Sequence, residues 1–186
     1  TAGANLLPVV QIQDTNGNVV TSGVDSTANI TLNLQTGTGT LSGTTTVKAV
    51  AGEATWNAGH TLAIDLIAFK TLRATKENIG VGTLTQDSAA FEIVHGAASS
   101  ITFSTDPANP TTTGANLLPV VQILDSEGNI VTSGRDATAN VTVNLQTGTG
   151  TLSGTKTVQA ASGVATWNAG HTLAIDLIGF KTMRAA

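Results

Sequence analysis

The sequence has no cysteine and no tyrosine, a single methionine, and only 3% aromatic residues. Without cysteine there is neither a disulfide framework nor a thiolate metal site, although the compartment stays open. Charge is scarce as well: 8 Lys+Arg against 12 Asp+Glu give a net charge of −4, and charged residues make up 11% of the chain. So few basic residues argue against nucleic acid as a partner. The longest apolar run, near Leu62 to Phe69, is interrupted by Asp65. It falls far short of the roughly 20 apolar residues of a membrane helix, so no membrane insertion of this segment is expected. What the chain has instead is 33 threonines and 20 glycines in 186 residues. That length suits one large domain or two of about 90 residues each.

A repeat decides between those two. Gly3-Ala4-Asn5-Leu6-Leu7-Pro8-Val9-Val10-Gln11-Ile12 returns unchanged from Gly114 to Ile123, an offset of 111 residues. The offset holds to the end, with Trp56 matching Trp167 and Arg73 matching Arg184, and 58 of the 75 aligned pairs are identical. The differences report on burial. Val19/Ile130, Ile30/Val141, Leu32/Val143 and Leu72/Met183 exchange apolar side chains, as cores tolerate. Gln13/Leu124, Val24/Arg135, Thr45/Lys156, Lys48/Gln159 and Glu53/Val164 change polarity or charge and are expected outside. Identity elsewhere is weak evidence of function, because copies this similar share most residues by recent descent.

The local pattern is that of strands. Asn29-Ile30-Thr31-Leu32-Asn33-Leu34 alternates with period two, placing Ile30, Leu32 and Leu34 inward. Val10 and Ile12 share a face, followed by the turn signal Asp14-Thr15-Asn16-Gly17-Asn18. Thr44–Ala49, Ala54–Trp56, Ala89–Val94 and Ser100–Ser104 complete the set, while Ala58–Phe69 reads as strand or irregular structure. Many short strands with frequent turns predict an antiparallel β-sandwich. The boundary is expected at His95-Gly96-Ala97-Ala98, giving domains 1–96 and 97–186.

No constellation of residues stands out as chemistry. His60 and His171 are repeat equivalents, each with an Asp five residues on (Asp65, Asp176), and His95 lies in the linker. No Gly-x-Ser-x-Gly elbow accompanies them, so no catalytic residue is assigned and no enzyme is expected. Asp14-x-Asn16-x-Asn18 with Asp25, and Asp125, Glu127, Asn129 and Asp136 in the second copy, echo a calcium loop. The glycine stands fourth instead of sixth and no Glu closes the loop, so a turn is the reading and no metal or cofactor residue is assigned. Calcium at a domain junction, using Asp87, Glu92 or Asp106, is a separate possibility. Asn29-Ile30-Thr31 and Asn140-Val141-Thr142 are glycosylation sequons with both asparagines pointing outward. Trp56 and Trp167 are read as inward strand residues rather than sugar-stacking platforms.

Several ordered motifs together resemble a known family. These are His95-Gly96-Ala97-Ala98-Ser99-Ser100-Ile101-Thr102-Phe103 with Asp106-Pro107, Val121-Gln122-Ile123-Leu124-Asp125-Ser126-Glu127-Gly128-Asn129-Ile130-Val131, Gly150-Thr151-Leu152-Ser153-Gly154-Thr155, and Gly163-Val164-Ala165-Thr166-Trp167. With Ser88-Ala89-Ala90-Phe91-Glu92-Ile93 as closing strand, they resemble the bacterial immunoglobulin-like, invasin/intimin-type repeats of large surface proteins. The resemblance implies two tandem immunoglobulin-like sandwiches of Greek-key type. It departs where the family commonly has Gly-Thr-Tyr-Thr-Leu-Thr-Ala and this chain has Ala68-Phe69-Lys70-Thr71-Leu72-Arg73-Ala74. Lys70 takes the inward Tyr position, and Phe69 is expected to replace the aromatic bulk.

By the same comparison, domain 1 lacks its first strand, the equivalent of Ile101 to Phe103, and domain 2 lacks its last, the equivalent of Ala89 to Val94. The chain is then a window of a longer array, or neighbouring subunits complete one another by strand addition. The implied role is a non-enzymatic structural module of an extracellular bacterial surface protein or filament, a stalk or adhesin shaft whose partners are neighbouring repeats or subunits. The alternative is a ligand- or carbohydrate-binding adhesion module.

Overall fold

A computed structural model describes all 186 residues, Thr1–Ala186. The chain is all-β, with seventeen short strands in several antiparallel sheets and four single-turn 3-10 helices. It divides into two compact units, Thr1–Val94 and His95–Ala186, two residues ahead of the expected boundary.

Unit 1 contains β1 (Val9–Gln11), β2 (Asn29–Thr36), β3 (Leu41–Ser42), β4 (Thr46–Lys48), β5 (Glu53–Thr55), β6 (Ala63–Ile64), β7 (Ala68–Ile79), β8 (Gly82–Asp87) and β9 (Phe91–Ile93). Its main sheet has the order β4-β2-β7-β8, with β9 also pairing to β7; β1-β5 and β3-β6 form two-stranded sheets. The long strand β7 changes neighbours along its length. Ala68, Phe69 and Lys70 face Ile93, Glu92 and Phe91 of β9, while Thr71 onward lies beside β2 and Arg73 onward beside β8.

Unit 2 contains β10 (Ser100–Thr105), β11 (Val120–Leu124), β12 (Asn140–Thr147), β13 (Leu152–Ser153), β14 (Thr157–Gln159), β15 (Val164–Thr166), β16 (Ala174–Ile175) and β17 (Thr182–Ala185). Its sheets are β10-β11-β15, β14-β12-β17 and β13-β16.

The period-two reading of β2 holds. Ile30 and Leu32 are buried and Leu34 packs against them from its half-buried position, together with Ile12, Trp56, Leu62 and Ile64. Their equivalents Val141, Val143, Ile123, Trp167 and Leu173 build the core of unit 2. Each indole satisfies its N–H inside the core: Trp56 Nε1 donates to Thr44 O at 2.8 Å and Trp167 Nε1 to Thr155 O at 2.9 Å. Threonine has a repeated place as well. The hydroxyls of Thr31 and Thr46 meet at 2.8 Å, and those of Thr142 and Thr157 at 2.7 Å, as directly opposed cross-strand pairs. Gly43 and Gly154 permit close approach of two segments, since a Cβ there would stand 2.3 Å from the carbonyl oxygen of Thr61 or Thr172.

The ambiguous stretch after Trp56 resolves into a 3-10 turn at Ala58–His60, the short β6, and a bend before β7. Phe69 does not restore the missing aromatic: it is 66% exposed, while Lys70 beside it is fully buried. The alternation of β7 puts Lys70 in and Phe69 out, and the strand cannot turn both inward.

The two copies differ informatively where β7 begins. Ala68 has φ 136°, a conformation L side chains rarely adopt, and its counterpart Gly179 has φ 120°. Ala68→Gly should therefore relieve strain that exceeds the added freedom of glycine when unfolded, stabilising unit 1 by about 1 kcal/mol. Denaturant unfolding of the two proteins checks this; equal or lower stability of the variant would show the backbone there to be unstrained.

Candidate functional site

The residues singled out in the sequence turn out to hold the frame together. In each unit an Asn and a His close a capping box on the 3-10 turn. Gly59 N–H donates to Asn57 Oδ1 at 2.9 Å and Asn57 N–H donates to His60 Nδ1 at 3.0 Å; Asn168, Gly170 and His171 repeat the pattern. Asp65 is not turned to His60 but accepts the N–H of Thr40 at 2.7 Å, as Asp176 accepts that of Thr151. That N–H lowers the Asp65 pKa.

His95 does meet a hydroxyl, an encounter the sequence did not suggest. Its Nδ1 lies 2.8 Å from Gly96 O, so with the proton there its Nε2 accepts from Ser133 Oγ at 2.8 Å and from Ser133 N–H at 3.2 Å. The imidazole thus ties the start of unit 2 to the turn at Ser133, with no carboxylate among its hydrogen-bond partners.

The calcium-like loops are Asx turns. Asp14 Oδ1 accepts the N–H groups of Asn16 and Asn18 at 2.8 and 2.9 Å, with Asn18 Nδ2 adding to both oxygens. Asp125 makes the same turn with Glu127 and Asn129 and also takes Gly96 N–H at 2.8 Å. Burial pushes the Asp125 carboxyl up, but these donors outweigh it and leave its pKa below the ordinary value. Asp87 is engaged by Arg73 at 2.7 and 2.9 Å. No group of three or more His, Cys, Asp or Glu side chains is placed to hold a metal ion. Trp56 and Trp167 are each 1% exposed, which removes both from sugar stacking. Of the sequon asparagines, Asn140 is exposed, whereas Asn29 is partly buried and its Nδ2 donates to Glu77 Oε2 at 2.9 Å.

Two buried lysines escaped the sequence reading. Lys70 Nζ donates to the carbonyls of Thr38 and Ile67. Lys76, 2% exposed, donates to Glu77 O, Ile79 O and Gly82 O at 3.1, 2.6 and 2.8 Å and pairs with Asp25 Oδ1 at 2.8 Å. Both lysines stand on the inward row of β7 and satisfy turn carbonyls that would otherwise be buried without partners.

The surfaces that can do something are the strand edges. In unit 2, β11 lies between β10 and β15; in unit 1 its equivalent β1 pairs with β5 alone. Beside β1 runs a groove of about 490 Å³ whose lining includes Val9, Val10, Leu32, Leu72 and Ala74. In unit 2 a larger groove of about 800 Å³ is lined by Phe103, Leu117, Ile175, Ile178, Phe180 and Met183, among others. Ile178 and Phe180 are 85% and 99% exposed there. These grooves are apolar clefts along sheet edges, suited to a strand more than to a small polar substrate.

The Lys76–Asp25 pair gives a test of the frame. Hydrogen bonding from Lys76 is the main cause that holds the Asp25 carboxyl below its ordinary value. A depressed carboxylate adds stability above the unfolded pKa of about 3.9 and loses it as pH falls through the folded value. Asp25→Asn should therefore destabilise unit 1 at pH 7 and reduce the stability lost between pH 7 and pH 3, by urea titration at both pH values. Equal losses in parent and variant would show that the pair does not contribute. No protein-family model, curated protein or solved structure matches the chain.

Proposed function

We propose that this chain is a two-repeat segment of a non-enzymatic structural protein, in which immunoglobulin-like sandwiches of Greek-key type follow one another as the stalk, adhesin shaft or filament of an extracellular bacterial surface protein. The observation that carries this reading is the in-register duplication of a framework. The indole–carbonyl bond, the Asn-His capping box, the Asx turn and the aspartate on the Thr40 or Thr151 N–H each recur 111 residues apart. What is copied is the scaffold. Repetition of a whole sandwich without insertion adds length in equal steps, which is what a shaft requires.

The surface supports the same role. Low charge, paired threonines and core-bound tryptophans leave little for specific recognition of a small ligand. Partners are then neighbouring repeats, met through strand edges.

An antibody raised against the 186 residues should label intact cells of the source, and surface proteolysis should release fragments cross-reacting with it. Labelling confined to permeabilised cells would overturn the extracellular placement. Specific, saturable retention on a glycan array would favour the carbohydrate-binding alternative.

A further inference from the structure

Each repeat is the other's reference, because the same sequence occurs once with a given strand in place and once without it. In unit 1, β9 pairs with Ala68–Lys70; Ile93 is buried, Ile64 is fully buried, Ile67 packs against the core, and Lys70 is fully buried. In unit 2 the equivalent residues Gly179–Lys181 have no paired strand, Ile178 is 85% exposed, and Lys181 is half-buried. Leu72 is buried where Met183 is half-buried. The contrast is reversed at the other edge. With β10 laid on β11 and Phe103 packed on the core, Val121 and Leu117 are buried, whereas their counterparts Val10 and Leu6 are half-buried.

From this pairwise comparison we infer that the groove of unit 2 is a strand-acceptor site, and that its occupant is a further stretch of this same repeat carrying the sequence of Ser88–Val94. The strand would add antiparallel, its Ile, Glu and Phe opposite Gly179, Phe180 and Lys181, in the register β9 takes on β7. Its Phe and Ile would enter the cleft between Ile175, Ile178 and Met183, and its Glu would face out, as Glu92 does. Main-chain hydrogen bonds supply the attachment and the two apolar side chains the selectivity.

Counting strands identifies the source. Each chain has one β9, used by its own unit 1, and one β10, used by its own unit 2. Two copies together offer two open grooves of each kind and no unused strand. A second copy could fill the groove only by uncovering its own unit 1, which gains nothing. A third repeat brings a strand without that loss. The choice of source rests on the tandem-array reading; the acceptor groove itself does not.

The experiment adds a synthetic peptide, Asp87 to Gly96, to the 186-residue chain and follows amide hydrogen exchange. Saturation at one peptide per chain is expected, with exchange across Leu177–Met183 slowed by about tenfold or more and Val9–Gln11 unchanged. A peptide carrying Phe91→Asp and Ile93→Asp should give neither effect. A chain extended after Ala186 by the sequence of residues 76–94 should show the same protection with no peptide added. Absence of protection in the extended chain, or equal binding of the doubly substituted peptide, would overturn the acceptor site. Concentration-dependent dimers that protect Leu177–Met183 unaided would assign the groove to a second copy and overturn the proposed occupant. Strand capture by a protein found only inside cells would retire the surface-shaft reading while leaving the acceptor site standing.

Discussion

A strand edge carries N–H and C=O groups that must be paired or left to water, and here it also decides which apolar side chains are covered. Both repeats are organised by this constraint. Where β10 lies on β11, Val121 is fully buried; where nothing lies on β1, the identical Val10 is half-buried. Where β9 lies on β7, Ile93 and Lys70 are buried; without such a strand, Ile178 and Phe180 stand in solvent. The side chains are nearly the same in the two copies, so the difference belongs to the pairing and not to composition. Edges therefore control the core in this protein, which is unusual only in that the chain supplies its own comparison.

The second organising element is the inward row of β7, Lys70-x-Leu72-x-Ala74-x-Lys76. A core row flanked by two ammonium groups looks costly, since a buried charge must recover its lost hydration. Lys76 does so through Asp25 and three carbonyls at the β7–β8 turn, and Lys70 through the carbonyls of Thr38 and Ile67. Their methylene stems fill space between strands while the ammonium groups close loops. The family-like position of an inward tyrosine is thereby kept as a long side chain with a polar tip, in different chemistry.

This explains what could and could not be read from the sequence. The offset of 111, the alternation of β2, the core tryptophans and the Asx turns were legible because each rests on local pattern or on direct comparison of copies. The full length of β7 and its hairpin with β8 were not, since Lys70 and Lys76 break the apolar alternation that marks a strand. Nothing local says that a lysine points inward; its partners, Asp25 and Thr38, lie far away in sequence. Phe69 was misplaced for the same reason, through an assumption that the aromatic residue takes the inside. The tie between His95 and Ser133 was hidden because it joins residues with no repeat equivalent of the pair: Ser22 matches Ser133, but no histidine precedes it at that spacing.

Near-identity of repeats also sets a limit on how specificity can arise. If one β9-like strand fits two grooves, the contacts alone cannot distinguish the rightful strand from a copy elsewhere in the array. Connectivity can. A strand joined to its groove by a short turn acts at an effective concentration in the millimolar range, whereas a strand from another molecule acts at its own dilute concentration. The 12-residue β7 running directly into β8 provides that short connection in unit 1. Exchange between molecules becomes competitive only where the tethered strand is absent or already engaged. An array of such repeats thus protects its internal grooves by covalent order, and any groove left open is the place where two stretches of the repeat can be joined without a new kind of contact.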